Sequence, residues 1–397
     1  MMQLRGPAIA LPAFDPHRCH FFALGRNAMY AACRLLGLRA GDEVLTPAFD
    51  CHATLQPFRA MGLRLRFYRS DPLSLAADVE DLRRRLTPQT KLVHVIHHFG
   101  FPQPWPQLLA LRGETGIPIL EDNAYTLLSR FDGQPAGTFG DVAIFSLHKT
   151  LQLLEGGMLR INRPDLRWAP PTRATRWVGR PGRRQVLSLL HWLGYGSLPL
   201  ALREHLRRAL GGKVLPPPLY DDGRPDIPAC PERDAIERAF GTDFLRPMSR
   251  LALRQLHRFS VQDLQEMAAC ARERYADVVA RARELPEVRV LWPTLPEGIV
   301  PFSVCLLLRS RRDRCLEGLR ERFRVMAWPT LPQDVIDRLP DFPDVEQLGR
   351  QLLQIVLLPA RVRQPAFRRE LDALLLQLRA LIGRHPGRAH AAQGVLA

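Results

Sequence analysis

The chain has 397 residues, of which 46% are hydrophobic and 24% charged, so the composition excludes a disordered protein and has room for two globular domains. The formal net charge of +16 predicts anionic partners, such as phosphorylated substrates, nucleic acid or a membrane surface. No zinc-finger spacing, RNP-like motif or clear helix-turn-helix pattern accompanies this charge, so we expect no nucleic acid partner.

Three features of the sequence concern the cellular compartment. The seven cysteines are scattered and form no CxxC pair, which favours a reducing environment over a disulfide framework. The first segment, MMQLRGPAIALPAFDPHR, has no sustained apolar region and does not predict a signal peptide. The stretch VLSLLHWLGYGSLPLAL is interrupted by His, Gly and Pro and does not predict a membrane span. We therefore expect a cytoplasmic protein.

Helix-like and strand-like segments alternate over the first part of the chain. Helical spacing of apolar residues predicts helices in NAMYAACRLLGL, ATLQPFRAMGL, LAADVEDLRRRL and WPQLLALRGETG. Short apolar runs predict strands in GDEVLTPAF, RLRFYRS, KLVHVIHHFG, IPILEDNAY, DVAIFSL and GGMLRI. This alternation predicts an α/β fold with a mostly parallel, doubly wound sheet, which binds ligands at the carboxyl ends of its strands. We expect one crevice there to gather the polar residues Asp122, Ser146, His97 and His98.

The composition changes after about residue 162. Residues 163–247 are dense in Pro, Arg and Gly, and we interpret them as an insertion in a large domain of residues 1–247. A long helix (SVQDLQEMAACARERYADVVARARELP), a strand (VPFSVCLLL) and two further helices (RDRCLEGLRERF and AFRRELDALLLQLRALIG) predict a smaller α+β domain over residues 248–385. We expect residues 386–397 to form a loose tail.

Lysine is rare in this chain, and one lysine stands at a strand end. Of the 56 basic residues, only Lys91, Lys149 and Lys213 are lysine. We interpret Lys91 and Lys213 as surface charges, one at the start of a strand and one in a loop. Lys149 lies in FSLHKTLQLLEGG, directly after a strand, where a lysine amine can act as a nucleophile and an arginine cannot.

Four motifs have the residue types of a cofactor site. GRNAM is a glycine turn that opens a helix, and such a helix end binds anions. In LEDNAY, Asp122 ends a buried strand and Tyr125 can share its face. SLHK supplies the hydroxyl of Ser146 and the amine of Lys149, and the glycines of EGGML allow a sharp turn beside a bulky ligand. Taken singly, these motifs also fit a plain helix start, a helix N-cap or a loop.

Together these motifs suit pyridoxal 5'-phosphate. That cofactor needs an anion cradle for its phosphate, a carboxylate that keeps the pyridine nitrogen protonated, and a lysine that holds its aldehyde and moves protons. We expect no metal site. His94 and His98 share one face of their strand and His97 lies on the other, and the sequence fixes no cysteine or carboxylate beside them.

Several of these segments resemble the DegT-type (DegT/DnrJ/StrS) sugar aminotransferases, which have the type I PLP-dependent aminotransferase fold. The resemblance rests on GRNAM, GDEVLTPAF, TPQTKLVHVIHHFG, GIPILEDNAY, GTFGDVAIFSLHKT and EGGML, over residues 20–162, and it resumes more weakly from PMSRLALRQLHRF onward. It implies a homodimer with active sites near the subunit interface. It also implies transfer of an amino group, typically from glutamate, to a nucleotide-linked keto sugar in surface polysaccharide or secondary-metabolite biosynthesis.

The resemblance implies a role for each of several residues. Lys149 matches the lysine that binds the cofactor, and Asp122 matches the partner of the pyridinium. Tyr125 stands where the family usually has a glutamine that contacts the ring oxygen. The other residues implied for the site are the phosphate ligand Ser146, the phosphate turn of Gly25, Arg26 and Asn27, and His52, chosen over Phe49 and Cys51 to stack on the ring.

Two departures from the family pattern indicate a divergent branch. The usual pattern S-F-H-x-T-K has its lysine five residues after the serine, whereas Lys149 follows Ser146 by three. The family motif Asn-x-Arg-Met, whose Asn reaches the phosphate in the partner subunit, reads LRPM at residues 245–248.

Two other functions stay open at the level of the sequence. A different reaction with the same cofactor, such as sugar dehydration or an amino-acid transformation, is the first, although the dehydratase branch typically replaces the lysine by histidine. The second is a non-catalytic relative that acts at a membrane surface, suggested by the apolar and basic stretch of residues 186–210.

Overall fold

A seven-stranded sheet forms the centre of the N-terminal part in the computed structural model, which describes residues 9–169, 243–320, 322–328, 331–357 and 364–383. The strands of this part, with a separate hairpin of β6 and β7, are β1 (Cys19–Phe22), β2 (Glu43–Pro47), β3 (Arg64–Tyr68), β4 (Thr90–Ile96), β5 (Ile119–Asn123), β6 (Arg130–Phe131), β7 (Gln134–Pro135), β8 (Val142–Phe145) and β9 (Gly157–Ile161). The order in the sheet is β1-β9-β8-β5-β4-β2-β3. The five strands from β3 to β8 are parallel, and β9 is antiparallel to both its neighbours. The predicted mostly parallel sheet is confirmed.

Five helices lie between these strands, and their ends follow local signals in the sequence. They are α1 (Gly25–Leu35), α2 (His52–Ala60), α3 (Val79–Arg85), α4 (Trp105–Thr115) and α5 (Leu147–Leu151). The Asp78 side chain caps α3 by accepting a hydrogen bond from the Asp81 N–H. Gly116 ends α4 in the left-handed conformation at φ 69°. A 3₁₀ turn, His98–Gly100, follows β4.

The C-terminal part is built on a four-stranded antiparallel sheet of order β10-β11-β13-β12. Its strands are β10 (Val288–Val290), β11 (Ser303–Leu308), β12 (Val325–Met326) and β13 (Leu352–Val356). The helices are α6 (Arg250–Leu256), α7 (Val261–Ala282), α8 (Arg312–Arg320), α9 (Gln333–Ile336), α10 (Pro343–Gln351) and α11 (Gln364–Gly383), with a 3₁₀ turn at Leu339–Asp341. Ser260 and Asp263 form a capping box at the start of α7. The predicted long helix, strand and terminal helix are all present.

Several elements of the structure have no counterpart in the sequence prediction. Strand β1 pairs with β9, far along the chain, so that Cys19 lies opposite Arg160. Strands β10, β12 and β13 complete the smaller sheet, and helix α10 leads into β13. Each of these strands is short and depends on a distant partner, so local periodicity gives little signal for it.

The helix α6 lies just after the predicted domain boundary at residue 247. Its residues Ala252 and Leu256 share an apolar cluster with Leu147 and Leu151 of α5. The helix therefore packs against the part of the chain that contains Lys149, and the exact boundary stays a prediction. Most of the predicted insertion at 163–247 and the predicted tail at 386–397 lie outside the described residues. Among the helices described, none is both long and apolar enough to cross a membrane.

Candidate active site

The parallel strands bring several polar residues to one edge of the sheet. Strands β2, β4, β5 and β8 run in the same direction, so their carboxyl ends lie side by side. Asp122 is near the end of β5, Ser146 directly follows β8, and Asp50 follows β2. All three side chains are buried. This edge is the place where a ligand of a doubly wound sheet is expected.

The short helix α5 places Lys149 in this site. The Lys149 Nζ atom lies 3.9 Å from the centroid of the Tyr125 ring. Leu151, which stands five residues after Ser146 where the family usually has its lysine, is 5% exposed and packs in an apolar cluster. In this chain the residue three positions after the serine reaches the polar edge, and the residue five positions after it faces the core.

The charge of Lys149 is stabilised by its neighbours. Burial of the ammonium group acts against its charge, but the fields of Tyr125, Asp122 and Cys51 outweigh that effect and raise the pKa of Lys149 above its usual value. Lys149 is thus a cation when no cofactor is bound at physiological pH. Tyr125 and Asp122, which the sequence predicts as its companions, both act on it.

Asp122 is an ionised carboxylate in this buried position. Its Oδ1 accepts a hydrogen bond from the Ala124 N–H at 2.8 Å, and its Oδ2 lies 3.6 Å from the His94 Nε2. Burial alone would raise the pKa of Asp122. The contact with His94, the charge of Lys149 and the Ala124 N–H outweigh this effect, so the pKa of Asp122 lies below its usual value. A carboxylate of this kind can hold a pyridinium nitrogen in its protonated form.

The N-terminal end of helix α1 lies directly against Ser146. A Cβ atom added to Gly25 would be 3.4 Å from the Phe145 carbonyl oxygen and 3.5 Å from the Ser146 Cβ. No side chain caps α1, because its N-cap residue is Leu24. The start of α1 and the Ser146 hydroxyl therefore lie side by side and define one corner of the site, and its binding of a phosphate group stays a prediction.

The glycine Gly157 makes this close packing possible. A Cβ atom at Gly157 would lie 2.1 Å from the Leu24 carbonyl oxygen and 2.6 Å from the Gly25 nitrogen. Neither Gly156 nor Gly157 has a positive φ, and the left-handed residue of this loop is Gln152, at φ 54°. Glycine is needed at 157 because the backbone at the start of α1 approaches β9 so closely.

Arg26 and Asn27 follow Gly25 and have partners within the protein. The Arg26 guanidinium donates to the Gln56 side chain of α2. The buried Asn27 amide donates to the carbonyl oxygens of Asp243 at 3.2 Å and Phe244 at 3.0 Å. Asn27 therefore ties the segment after residue 242 to α1, and a contact of its side chain with a phosphate group stays a prediction.

Ser146 and His148 lie close together beside the second glycine motif. The Ser146 Oγ is 3.3 Å from the His148 Nδ1, which is also 3.3 Å from the Gly156 carbonyl oxygen. Glu155, in the same motif, accepts hydrogen bonds from the Ser249 N–H at 2.6 Å and from Arg246. The LRPM segment, which includes Arg246, is thus fixed to the EGG loop.

His97 does not line the crevice, which corrects the expectation drawn from the sequence. Its Nε2 lies 3.2 Å from the Glu121 Oε1, and its ring stacks on Phe131 with centroids 4.6 Å apart. The Glu121 carboxylate also accepts N–H donors from Gly137, Phe139 and Gly140. Because side chains alternate along a strand, Glu121 and His97 lie on the opposite face from Asp122 and hold the loop before β8.

The three candidates for ring stacking have different surroundings. Phe49 is fully buried and stacks on Trp328 with centroids 4.8 Å apart. The His52 Nδ1 lies 3.0 Å from the Arg59 Nη1, two turns further along α2. The Cys51 Sγ lies 3.2 Å from the Thr54 Oγ1 on the first turn of α2. The role predicted for His52 stays a prediction.

The sequence did not predict a buried polar network that lies behind Asp122. His94 Nδ1 lies 2.8 Å from the Thr46 Oγ1, and the same hydroxyl lies 3.3 Å from the Asp50 Oδ2. Thr46, Asp50 and His94 are all fully buried. The sequence signal was only a polar residue, Thr46 or His94, within each of two largely apolar strands. Nothing in the spacing shows that β2 and β4 are neighbours.

These residues fit pyridoxal phosphate. The corner at Gly25 and Ser146 presents N–H and hydroxyl donors, and Gly157 leaves no side chain in the way. The ionised Asp122 and the Lys149 amine share the polar edge with the Tyr125 ring. Phosphate, ring nitrogen and aldehyde each have a chemical partner of the required type.

Comparison with known sequences points to one family. A profile described as the DegT/DnrJ/EryC1/StrS aminotransferase family matches residues 19–194. A dTDP-4-dehydro-2,3,6-trideoxy-D-glucose 4-aminotransferase from Saccharopolyspora spinosa is 32% identical over 354 residues, which cover 87% of this chain and 81% of that protein. A GDP-perosamine synthase from Escherichia coli O157:H7 is 31% identical over 144 residues, or 36% of this chain and 40% of that protein.

Solved structures show the same fold. The 3-amino-5-hydroxybenzoic acid synthase has a TM-score of 0.63 at 17% identity, covering 92% of this chain and 87% of that one. The E. coli GDP-4-keto-6-deoxy-D-mannose-3-dehydratase, solved with bound hydrated PLP, has a TM-score of 0.59 at 17% identity, covering 92% and 87%. The predicted type I aminotransferase fold is confirmed.

Proposed function

Because the chain belongs to the DegT/DnrJ/EryC1/StrS aminotransferase family and is a PLP-dependent aminotransferase, we propose that it transfers an amino group from an amino acid, glutamate, to a nucleotide-linked keto sugar. The Saccharopolyspora spinosa relative, named as a dTDP-sugar 4-aminotransferase, supports the sugar as acceptor. The net charge of +16 also suits a substrate with a diphosphate group.

The observation that supports this function best is the shared position of Lys149 and Asp122. Both side chains reach one edge of the sheet, and each favours the charged form of the other. Bound pyridoxal phosphate supplies an electron sink that stabilises negative charge at the carbon next to the reacting nitrogen. Asp122 keeps the ring nitrogen protonated, which that chemistry requires.

The other residues of the site bind, orient and move protons. The start of α1 and Ser146 hold the phosphate group and fix the position of the ring along the strand ends. The Lys149 amine would hold the cofactor and, when free, would serve as the acid and base that moves a proton in the reaction. Tyr125 packs against the Lys149 amine and raises its pKa, so its hydroxyl influences when the lysine gives up its proton.

The setting of the reaction forms part of the proposal. We place the protein in the cytoplasm as a homodimer, in the synthesis of a surface polysaccharide or a secondary metabolite. The family resemblance supports the dimer, and the scattered cysteines support the reducing compartment.

The test begins with the purified full-length chain and pyridoxal phosphate. We expect a yellow protein that borohydride bleaches, with the reduced cofactor attached to Lys149 in a peptide map. Glutamate should then convert the bound cofactor to its amine form, and a nucleotide-linked keto sugar should reverse the conversion. A protein that stays colourless with added cofactor contradicts the proposal.

Sugar dehydration with the same cofactor is the second candidate, since a sugar dehydratase shares this fold. The presence of Lys149 near Tyr125 favours transfer of an amino group, because that reaction needs a lysine that returns to the cofactor. A scan of amino donors separates the two reactions. Loss of water from the sugar, without any net transfer of nitrogen, would favour the dehydratase.

A further inference from the structure

A chain of buried polar groups leads away from Asp122 into the sheet. The His94 Nε2 lies 3.6 Å from the Asp122 Oδ2, and the His94 Nδ1 lies 2.8 Å from the Thr46 Oγ1. The Thr46 hydroxyl lies 3.3 Å from the Asp50 Oδ2. Of the four residues, only Asp122 has any exposed surface, at 4%. Two carboxylates thus lie at the ends of a line that contains one imidazole and one hydroxyl.

The Thr46 hydroxyl lies between two groups that can each hold a proton. It has one hydrogen, so it can donate to the His94 Nδ1 or to the Asp50 Oδ2 but not to both, and the other neighbour pairs with it only by donating. If Asp50 is protonated, it donates to Thr46 and Thr46 donates to His94. If the proton is on His94, then His94 donates to Thr46 and Thr46 donates to Asp50. Either arrangement pairs the Thr46 hydroxyl with both of its neighbours. The His94 Nε2 faces the Asp122 Oδ2 at 3.6 Å, which is beyond hydrogen-bond distance.

We propose that Asp50, Thr46 and His94 form a proton relay behind Asp122, in which one proton is held either on the Asp50 Oδ2 or on the His94 Nδ1. In the transfer, the Asp50 O–H bond breaks as an O–H bond to Thr46 forms. The original Thr46 O–H bond breaks as the N–H bond of His94 forms. The proposal rests on the proposed function, because the position of the proton changes the charge beside Asp122, which holds the ring nitrogen of the cofactor.

The surroundings of Asp50 bring its pKa close to physiological pH. Burial raises the pKa of Asp50, the charge of His94 opposes that rise, and the pKa comes to about 6. The groups that face the relay are Asp122 on β5, Tyr68 on β3, His98 after β4 and Cys51 in the same loop as Asp50. Burial lowers the pKa of His98 to about 4 and raises that of Tyr68, so neither changes charge near pH 6.

The small domain holds one end of the relay in place. The Trp328 Nε1 donates to the Asp50 carbonyl oxygen at 3.1 Å, and the Tyr68 hydroxyl donates to the His94 carbonyl oxygen at 3.0 Å. The Cys51 N–H donates to the Asp50 Oδ1 at 2.6 Å, which leaves the Asp50 Oδ2 directed at Thr46. The geometry is therefore fixed from both sides, as a relay requires.

The test follows the visible absorption of the bound cofactor against pH, in the wild type and in the variants T46V, T46S and D50N. We expect the wild type and T46S to show an inflection near pH 6, and T46V and D50N to keep the cofactor on Lys149 but lose that inflection. Thr46→Ser keeps the hydroxyl and serves as the matched control for Thr46→Val.

The outcomes separate the relay from its alternatives. An inflection that survives in T46V but not in D50N overturns the relay, because the charge of Asp50 would then act through space alone. An inflection that survives in both variants overturns any role of Asp50. A wild-type protein that does not bind the cofactor at all overturns the proposed function, and the relay with it.

Discussion

The Lys149 ammonium group lies over the ring of Tyr125, with the nitrogen 3.9 Å from the ring centroid. Tyr125 follows β5 and Lys149 follows β8, so the contact joins two neighbouring strand ends of the parallel sheet. It places the lysine amine beside the residue that the family resemblance assigns to the ring oxygen. Substitution of Lys149 therefore tests whether this lysine binds the cofactor.

Replacement of Lys149 by alanine should abolish covalent binding of the cofactor. We expect borohydride to fix no pyridoxal phosphate to K149A, and amino transfer to fall by at least about 10²-fold, because no other described amine reaches the site. The control is Lys91→Ala, whose exposed amine donates to the Pro88 carbonyl oxygen. Equal labelling of K149A and the wild type would contradict the assignment.

The spacing between serine and lysine can be tested in the same background. The double variant K149A/L151K moves the lysine to the position that is usual in the family. Leu151 packs in the apolar cluster with Leu147 and Ala252, so a lysine there would begin in the core. We expect no recovery of labelling and a lower melting temperature. Recovered labelling at position 151 would show that α5 can rotate to the usual geometry.

The neighbours Asp122 and Glu121 should respond to substitution in different ways. Asp122→Asn removes the charge that pairs with the ring nitrogen, and we expect about a 10²-fold loss of turnover with little change in stability. Glu121→Gln disturbs a fully buried carboxylate that accepts three backbone N–H groups, and we expect a loss of about 2–4 kcal/mol in the free energy of unfolding. Steady-state kinetics and chemical denaturation of both variants measure the difference; the reverse pattern would contradict it.

Much of the fold followed from the sequence because its signals are local. Alternation of strand and helix patterns predicted every strand from β2 to β5, and the polar ends of the strands indicated the edge of the sheet that carries the site. Strand β1 was missed because its pairing of Cys19 with Arg160 lies far from any local signal. The same holds for β13, which is buried and central to the smaller sheet.

Within the site, the sequence predicted which residue types take part better than it predicted which way each side chain points. It brought Lys149, Asp122, Tyr125 and Ser146 together, and the structure has them at one edge. It also placed His97 there, although strand alternation turns that side chain to Glu121. The partners of Asp122 on β2 and β4 depend on strand order, which a single sequence does not give.

The close approach of α1 to β9 predicts a large effect at Gly157. An alanine Cβ at this position would lie 2.1 Å from the Leu24 carbonyl oxygen, so the start of α1 must move away from Ser146. We expect Gly157→Ala to cost about 1–3 kcal/mol of stability and to weaken cofactor binding about tenfold. Equilibrium binding of pyridoxal phosphate and thermal unfolding measure both effects.

A second glycine serves as the control for this prediction. Gly113 lies within helix α4, and an added Cβ would meet nothing within 4 Å. Because alanine favours a helix over glycine, Gly113→Ala should stabilise the protein by about 0.5–1 kcal/mol and leave cofactor binding unchanged. If Gly157→Ala behaves like Gly113→Ala, the corner at Gly25 and Ser146 does not depend on the contact between α1 and β9.

The buried carboxyl of Asp50 predicts a pH dependence of stability that can be isolated by substitution. Its pKa rises from 3.8 to about 6 because burial disfavours the charged form. A raised pKa in the folded state favours folding below pH 3.8, and this contribution is lost as the pH rises through about 6. Above pH 6 the ionised, buried Asp50 lowers the free energy of unfolding by about 3 kcal/mol relative to low pH. Asp50→Asn, which carries no charge, should therefore become more stable than the wild type as the pH increases from 4 to 7. Denaturation of both proteins across that range measures the difference, with the exposed Asp132→Asn as control. A difference that stays constant over the range would show that Asp50 keeps its usual pKa in the folded protein.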